Sequence, residues 1–300
     1  MVAVLSKQMA APLICRDSSD AKNKIELYDH ETIVKENGAR LIGFGRYAGL
    51  VGAYNTFRAL GMRDGIFTLD KVETLADFSA MKVELDKIKL PAIKIVLTGS
   101  GKVAKGAKEI VDHLNIEKVT VEEYLTKTYQ KAVYCYIDVM DYNKKIDGGA
   151  FNKTEFFKDP IGYESNFMRF AKVSNVLIAG HFYGENAPYL FTRDDAKQPE
   201  FHISVIGDIS CDIDGPVAST LRASTIAAPL YGYQAASEKE VPFKTKNSIT
   251  VMAVDNLPCE LPKDASEGFG SMFFNQVMPA FFNNDKDGIL ERAKITTSKG

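Results

Sequence analysis

A glycine loop joins a strand to a helix in the segment Ile93-Lys94-Ile95-Val96-Leu97-Thr98-Gly99-Ser100-Gly101-Lys102-Val103-Ala104. The apolar run is typical of a buried parallel strand, and apolar residues at helical spacing follow it. Such glycines permit a tight turn and let a pyrophosphate approach the backbone, while the small Ala104 lets the helix pack on the strand. The free N–H groups at the start of the helix favour phosphate. The alternative is a plain tight turn. The predicted dinucleotide-binding residues here are Gly99, Ser100, Gly101, Lys102 and Val103.

A P-loop for nucleoside triphosphates is excluded by two positions of this segment. Lys102 is followed by Val103 rather than by the Ser or Thr that binds Mg²⁺. Val96 stands where that motif requires its first glycine. The segment therefore favours a dinucleotide.

Strand-like and helix-like segments alternate around the glycine loop. A helix predicted from residue 47 to about residue 61 carries Gly49, Gly52 and Ala53, small residues that let it approach another backbone closely. The alternation predicts the α/β class with a doubly wound parallel sheet. The predicted strands after the glycine loop are residues 119–121, 176–179, 203–206 and 249–252.

The composition excludes several classes of protein. The 300 residues are 45% hydrophobic and 25% charged with a net charge of -2, so no basic excess indicates nucleic-acid binding and no apolar run predicts a membrane helix. Four cysteines without a C-x-x-C pattern suggest reduced thiols in a cytoplasmic protein. The four histidines lie far apart, so no metal site is predicted. A small molecule is the expected partner.

A carboxylate that takes the adenine ribose hydroxyls should follow the second strand of such a unit. Glu122 lies about 20 residues after the glycines, as this motif expects. The alternative is that Glu122 belongs to the solvated start of the next helix. Lys102 or Lys105 would instead favour a 2′-phosphate, so the choice between NAD and NADP stays open.

Three further polar groups follow predicted strands, where ligands bind in such sheets. They contain His181, Asp208 and Asp255. We predict these three residues to contact the cofactor, although groups of this kind are more often helix caps or turns. His181 is also expected to be a packed histidine more often than a general base.

The chain resembles the lysine-forming saccharopine dehydrogenases and the lysine–ketoglutarate reductase half of the bifunctional lysine-degrading enzyme, within the wider alanine dehydrogenase group. The resemblance runs from about Ile25 to the end of the chain. It is carried by the glycine loop at residues 98–106 and by three other passages, Leu27-Tyr28-Asp29-His30-Glu31, Arg40-Leu41-Ile42-Gly43-Phe44-Gly45-Arg46-Tyr47-Ala48-Gly49, and Asp255-Asn256-Leu257-Pro258 through Leu261-Pro262-Lys263-Asp264-Ala265-Ser266-Glu267.

The resemblance implies two Rossmann-like domains, of which the first is incomplete here, and a nicotinamide cofactor. It implies NAD(P)-dependent oxidation of saccharopine to lysine and 2-oxoglutarate, or the reverse reaction. By the same resemblance Glu31, Arg40 and Asp255 line the active-site or nucleotide cleft. For Arg40 the alternative is a surface ion pair.

Three domain segments follow from this resemblance. Residues 1–46 are predicted as the remnant of the substrate domain, and residues 47–252 as the dinucleotide-binding domain with a connecting helix at 47–61. Residues 253–300 are predicted to return to the first domain. Their helix, expected to start at Asp264 with a cap to Glu267, has an apolar face that needs a partner there or in another subunit, so a homo-oligomer stays open. The apolar face consists of Phe269, Phe273, Val277 and Phe281.

The departure from the family lies at the N-terminus. The family's catalytic lysine and histidine lie in a segment that has no clear counterpart in residues 1–24. We therefore expect dinucleotide affinity with little or no turnover of saccharopine by this chain. The alternatives are a dinucleotide-binding or regulatory protein without catalysis, and a dehydrogenase of the same group that acts on another amino acid.

Overall fold

The structure, a computed structural model, describes residues 2–5, 26–184 and 186–296. The chain divides into two compact units. Unit 1 contains Met1–Phe44 and Lys263–Gly300, and unit 2 contains Gly45–Pro262. The sequence predicted boundaries after residues 46 and 252, whereas the structure divides the chain after residues 44 and 262.

The described strands are β1 (Val2–Leu5), β2 (Glu26–Asp29), β3 (Lys94–Thr98), β4 (Glu117–Lys118), β5 (Val133–Ile137), β6 (Asn143–Lys145), β7 (Tyr163–Ser165), β8 (Val176–Ala179), β9 (Val205–Asp208), β10 (Leu230–Gln234), β11 (Lys239–Val241) and β12 (Ile249–Met252). The α-helices are α1 (Gly45–Asp64), α2 (Phe78–Leu85), α3 (Lys102–His113), α4 (Val121–Thr126), α5 (Val139–Tyr142), α6 (Lys153–Lys158), α7 (Met168–Ala171), α8 (Arg193–Lys197), α9 (Pro262–Met272) and α10 (Ile289–Ala293). Short 3₁₀ turns cover His30–Thr32, Val72–Thr74, Leu257–Glu260 and Met278–Phe281, and a π-helical turn covers Phe273–Val277.

A mostly parallel sheet forms the centre of unit 2. Its strand order is β11-β10-β12-β9-β8-β3-β5-β4. Strand β10 pairs antiparallel with both β11 and β12, and the other pairs are parallel. Strand β3 lies between β5 and β8. The chain therefore forms β5 on one side of β3 and later forms β8 on the other side. This reversal of strand order opens a crevice outside the carboxyl ends of the strands. The predicted α/β class and the parallel sheet are confirmed.

Helix α1 packs closely on α3, as its small residues predict. A Cβ atom added at Gly49 would lie 2.0 Å from the Val103 carbonyl oxygen, and one at Gly106 would lie 2.1 Å from the Arg46 carbonyl oxygen. Only hydrogen fits between the two backbones at these points. The contact holds α3, and therefore the glycine loop at its start, against the rest of unit 2.

The second strand of the glycine-loop unit differs from the prediction. Strand β4 ends at Lys118, and residues 119–121 do not form a strand. Thr120 instead caps α4, because its hydroxyl accepts a hydrogen bond from the Glu123 N–H while the Glu123 carboxylate accepts one from the Thr120 N–H. This capping box overrides the β-branched pattern from which the strand was predicted. On the side of β3 where this second strand was expected, the neighbouring strand is β5, which was not predicted from the sequence.

Unit 1 has its own apolar core. Val277 is fully buried with Tyr28, Ile33 and Ile42, and Phe269, Phe273 and Phe281 pack against this cluster. The predicted apolar face is therefore covered within unit 1. Helix α9 begins at Pro262, so Asp264 lies inside its first turn rather than at the cap. Helix α10 follows in the same unit.

Candidate functional site

A cavity of about 550 Å³ lies at the carboxyl ends of four parallel strands of unit 2. Its walls come from the loops that follow β3, β5, β8 and β9. This is the place where ligands bind in open α/β sheets. The residues that line it are Gly99, Ser100, Gly101, Lys102, Val103, Asp138, Val139, Tyr142, Phe157, Gly180, His181, Phe182, Tyr183, Ile209, Ser210 and Asp212.

The glycine loop contributes all five of its predicted residues to this wall. Gly99 has φ +98°, and a Cβ atom there would lie 2.6 Å from the Gly180 carbonyl oxygen. Glycine is therefore required at this position by both conformation and space. A Cβ atom at Gly101 would meet no atom within 4 Å. The space beside Gly101, at the start of α3, is open to a ligand.

Asp138 is the carboxylate that the structure places beside the glycine loop. It directly follows β5, and the Gly99 N–H donates to the Ile137 carbonyl oxygen at 3.0 Å. The Ser100 hydroxyl donates to Asp138 Oδ1 at 3.0 Å, and Lys153 Nζ donates to Asp138 Oδ2 at 2.6 Å. Burial disfavours the Asp138 carboxylate, but the hydrogen bonds from Lys153, the Val139 N–H and Ser100 outweigh it and lower its pKa. Asp138 is therefore ionised at neutral pH.

Glu122 lies away from this cavity, contrary to the prediction. It is exposed in the first turn of α4. That helix is tied to the amino ends of the strands, because Lys94 Nζ at the start of β3 donates to the Tyr124 and Lys127 carbonyl oxygens. Tyr124 and Ser174, which precedes β8, share a second hydrogen bond. Glu122 is therefore at the edge of the sheet opposite the cavity.

His181 lines the cavity and is almost completely buried, with 6% of its surface exposed. Its Nδ1 shares a hydrogen bond of 2.9 Å with the Thr98 hydroxyl, and its ring meets Tyr142 edge to face. Its Nε2 has no partner among the described residues. Burial lowers its pKa from 6.5 to about 4, so the ring is neutral at neutral pH. A neutral ring with a free nitrogen can bind a ligand but carries no ready proton to release as an acid.

Asp208 acts inside the protein rather than in the cavity. It is fully buried and accepts hydrogen bonds from the Thr220 hydroxyl at 2.6 Å, the Ser210 hydroxyl at 2.8 Å and the Cys211 N–H at 3.1 Å. These bonds fix the turn after β9, and that turn presents Ser210 and Asp212 to the cavity. Asp208 therefore positions this wall and does not line it. Burial raises the pKa of Asp212.

The remaining predicted residues lie elsewhere. Asp255 is exposed and outside the cavity wall. Glu31 and Arg40 belong to unit 1, where Arg40 Nη2 lies 3.7 Å from Glu31 Oε1 and both side chains are about half exposed. This contact is the surface ion pair that the sequence offered as the alternative for Arg40.

A second cavity of about 390 Å³ adjoins the first and shares His181, Phe182 and Tyr183 with it. It also contains Asn186, Ala187 and Pro188. Phe182 is 83% exposed between the two cavities. This ring offers an unpaired aromatic face to a planar ligand.

The sequence did not lead to Asp138 and Tyr142 as cavity residues. For Asp138 a signal existed, since Val133-Tyr134-Cys135-Tyr136-Ile137 is an apolar run of strand length that ends at an aspartate. No local pattern marks Tyr142, whose place in the wall depends on tertiary packing.

No helix among the described residues has the length and apolar character needed to cross a bilayer. They contain no group of three or more His, Cys, Asp or Glu side chains placed to hold a metal ion.

Comparisons with known proteins confirm the resemblance identified from the sequence. The mitochondrial α-aminoadipic semialdehyde synthase of Mus musculus is 28% identical over 299 residues, which cover 85% of this chain and 32% of that protein. The saccharopine dehydrogenase [NAD(+), L-lysine-forming] of Yarrowia lipolytica is 24% identical over 292 residues, which cover 91% of this chain and 66% of that protein. The chain thus spans about a third of the first relative. No family model matches it.

The fold also matches a solved structure. An L-alanine dehydrogenase superposes with a TM-score of 0.56 at 16% identity, covering all of this chain and 72% of that one. At this identity the match shows the fold alone.

Proposed function

We propose that the chain binds a nicotinamide dinucleotide in the cavity of unit 2 and acts as an NAD(P)-dependent oxidoreductase of lysine metabolism. The observation that carries the proposal is the convergence of the glycine loop and the start of α3 on this cavity, with the unpaired Nε2 of His181 in its wall. Helix α3 has twelve residues, and the positive end of its dipole lies at the glycine loop, where it would stabilise a bound phosphate. The relatives' names support the metabolic assignment.

The start of α3 and the ring of His181 contribute separate contacts to the dinucleotide. The open space at Gly101 and the start of α3 accept the pyrophosphate. When the Thr98 hydroxyl donates to Nδ1, the ring proton of His181 is on Nε2, where it donates to a ligand. When bound, a nicotinamide supplies the hydride acceptor or donor.

The reaction we propose is oxidation of the secondary amine of saccharopine. The glutarate carbon bonded to the nitrogen would lose a hydride to the oxidised dinucleotide, the nitrogen would lose a proton, and water would hydrolyse the resulting imine to lysine and 2-oxoglutarate. The reverse reaction consumes the reduced dinucleotide. A second candidate, dinucleotide binding without turnover, is favoured by the neutral state of His181, which leaves it without a proton to donate as an acid.

The binding proposal is tested by replacing Gly101. We expect folded wild-type protein to bind NADH or NADPH in calorimetry, and Gly101→Val to weaken binding about 5- to 150-fold, because overpacking a filled site costs about 1–3 kcal/mol. Gly162→Val is the matched control, since a Cβ atom at Gly162 also meets nothing within 4 Å and this residue lies outside the cavity wall. Failure of the folded wild type to bind either dinucleotide would contradict the proposal.

The two candidates are separated by steady-state assays in both directions. Saccharopine is tested with NAD⁺ and NADP⁺, and lysine plus 2-oxoglutarate with NADH and NADPH. Turnover that Gly101→Val removes would support the oxidoreductase. Dinucleotide binding without turnover in either direction would support the second candidate.

A further inference from the structure

We propose that Thr98 is a positioning residue that holds His181 with its ring proton on Nε2, where this N–H donates to a phosphate oxygen of the dinucleotide. This inference rests on the proposed dinucleotide binding. It assigns a function to Thr98, which does not itself line the cavity. The effect of Thr98 on the ligand would pass through the ring of His181, which does line it.

Strand pairing brings the side chains of Thr98 and His181 together. Strands β3 and β8 are adjacent and parallel, and Thr98 lies opposite Ala179 in their register. The Gly180 N–H continues this pairing, because it donates to the Thr98 carbonyl oxygen at 3.2 Å. His181 is the next residue, and its Nδ1 comes within 2.9 Å of the Thr98 hydroxyl.

The number of buried polar groups left without a partner indicates which atom donates in this hydrogen bond. Thr98 is completely buried, and its hydroxyl has no other partner among the described residues. If Nδ1 of His181 donated, the Thr98 O–H would have no acceptor, and Nε2 would present an unpaired lone pair. If the Thr98 O–H donates, only the N–H at Nε2 lacks a partner. Each unpaired buried group is destabilising, so we assign the ring proton to Nε2.

The phosphates of the dinucleotide are the acceptor that matches this N–H. A Cβ atom at Gly99 would lie 2.7 Å from His181 Cα, so His181 begins in contact with the first glycine of the loop. Such a loop takes the pyrophosphate, whose charged oxygens accept strong hydrogen bonds. Burial lowers the pKa of His181 to about 4, so the ring has one proton at neutral pH. With that proton on Nδ1, the lone pair of Nε2 would repel the same oxygens.

Nitrogen NMR of the ligand-free chain tests the position of the ring proton. The full 300-residue chain is labelled with ¹⁵N-histidine, and the His181 signals are identified by their loss in His181→Phe. At neutral pH we expect a proton on Nε2 and none on Nδ1 in the wild type. Thr98→Val replaces the hydroxyl by a methyl group and should shift both signals towards the average of the two tautomers. A proton on Nδ1 in the wild type, or an unchanged spectrum in Thr98→Val, would overturn the inference.

Calorimetry tests whether Thr98 acts on the ligand through His181, with the dinucleotide that the wild type binds more tightly. His181→Phe should weaken binding about 10- to 150-fold, the range for a hydrogen bond to a charged group. Thr98→Val should weaken it about two- to fivefold, because the ring then presents its Nε2 proton for only part of the time. Thr98→Val should have no further effect in the His181→Phe background. ADP contains the diphosphate and should show the same losses.

Two further variants separate positioning from a general disturbance of the site. Thr98→Ser keeps the hydroxyl and should recover most of the affinity that Thr98→Val loses. Thr250→Val is the matched control, because Thr250 is also a completely buried strand residue, and its hydroxyl donates to the Phe243 carbonyl oxygen at 2.7 Å, outside the cavity wall. It should leave the Kd unchanged.

The outcomes distinguish this inference from the proposed function. An equal effect of Thr98→Val in the wild-type and His181→Phe backgrounds would overturn the inference while the proposed function stands. The same conclusion would follow if His181→Phe weakened binding of the dinucleotide but not of ADP. A folded wild type that binds neither dinucleotide would overturn both.

Discussion

At the scale of residues, burial lowers the pKa of His181 and raises the pKa of Glu260, two side chains of unit 2. His181 becomes harder to protonate, and Glu260 becomes harder to ionise. Glu260 is 4% exposed, and the Asn55 side chain donates to its Oε1 at 2.8 Å. A packed His181 was expected from the sequence, but the burial of Glu260 was not, because it depends on which elements cover the residue. Local signals did identify the glycine loop, whose chemistry is contained in six consecutive residues.

The first residue-scale prediction concerns Glu260. Burial raises its pKa from 4.5 to about 7, and Glu73 adds to this shift while Asn55, Arg58 and Lys71 oppose it. The folded state thus holds the proton more tightly than the unfolded state. The resulting stability is fully present below about pH 4.5 and is lost as the pH rises through 7. It amounts to roughly 3 kcal/mol at most.

Chemical denaturation of Glu260→Gln between pH 4.5 and 8 checks this expectation. Relative to wild type, the variant should gain stability as the pH rises, because Gln carries no proton to lose. Glu122→Gln, an exposed carboxyl, is the control. A difference between Glu260→Gln and wild type that is constant over this pH range would show that Glu260 does not titrate there.

At the scale of elements, the pattern of apolar and small residues was sufficient to predict a strand or helix where one local signal determined it. The strand of the glycine loop, the helix that follows it and the small-residue helix α1 were predicted because their signals lie within short windows. The strand at 119–121 was wrong because the hydrogen bonds of Thr120 with Glu123 form a helix cap instead. The strand that lies beside β3 on this side of the sheet is β5, which Asp138 follows. Strand order is a tertiary property, and spacing along the chain cannot specify it.

The element-scale prediction compares two helical glycines. Gly106→Ala should lower the free energy of unfolding, because the new Cβ atom would lie 2.1 Å from the Arg46 carbonyl oxygen and overpacking costs about 1–3 kcal/mol. Gly270→Ala in α9 should raise it by up to about 1 kcal/mol, because that Cβ atom meets nothing within 4 Å and alanine favours the helix. Urea unfolding measures both. Equal effects of the two substitutions would show that α1 and α3 are not in close contact at Gly106.

At the scale of the whole molecule, each unit has a core made from its own residues. The main cluster of unit 2 covers the sheet, while that of unit 1 surrounds Tyr28 and Val277. All residues that line the candidate cavity belong to unit 2. The free energy of dinucleotide binding should therefore be linked first to the unfolding of unit 2.

The last prediction is that NADH protects unit 2 against local opening. At a ligand concentration of about 100 times Kd, binding should add about 2.7 kcal/mol to the free energy of any opening that destroys the site. In hydrogen exchange, the slowed peptides should include the loops after β3, β5 and β8, with no comparable change around Val277 and Ile289 in unit 1. Gly101→Val should lose this protection at the same ligand concentration, which ties the effect to the glycine loop. Protection of the unit 1 core equal to that of the cavity loops would mean that the ligand stabilises the molecule through contacts other than those of the cavity.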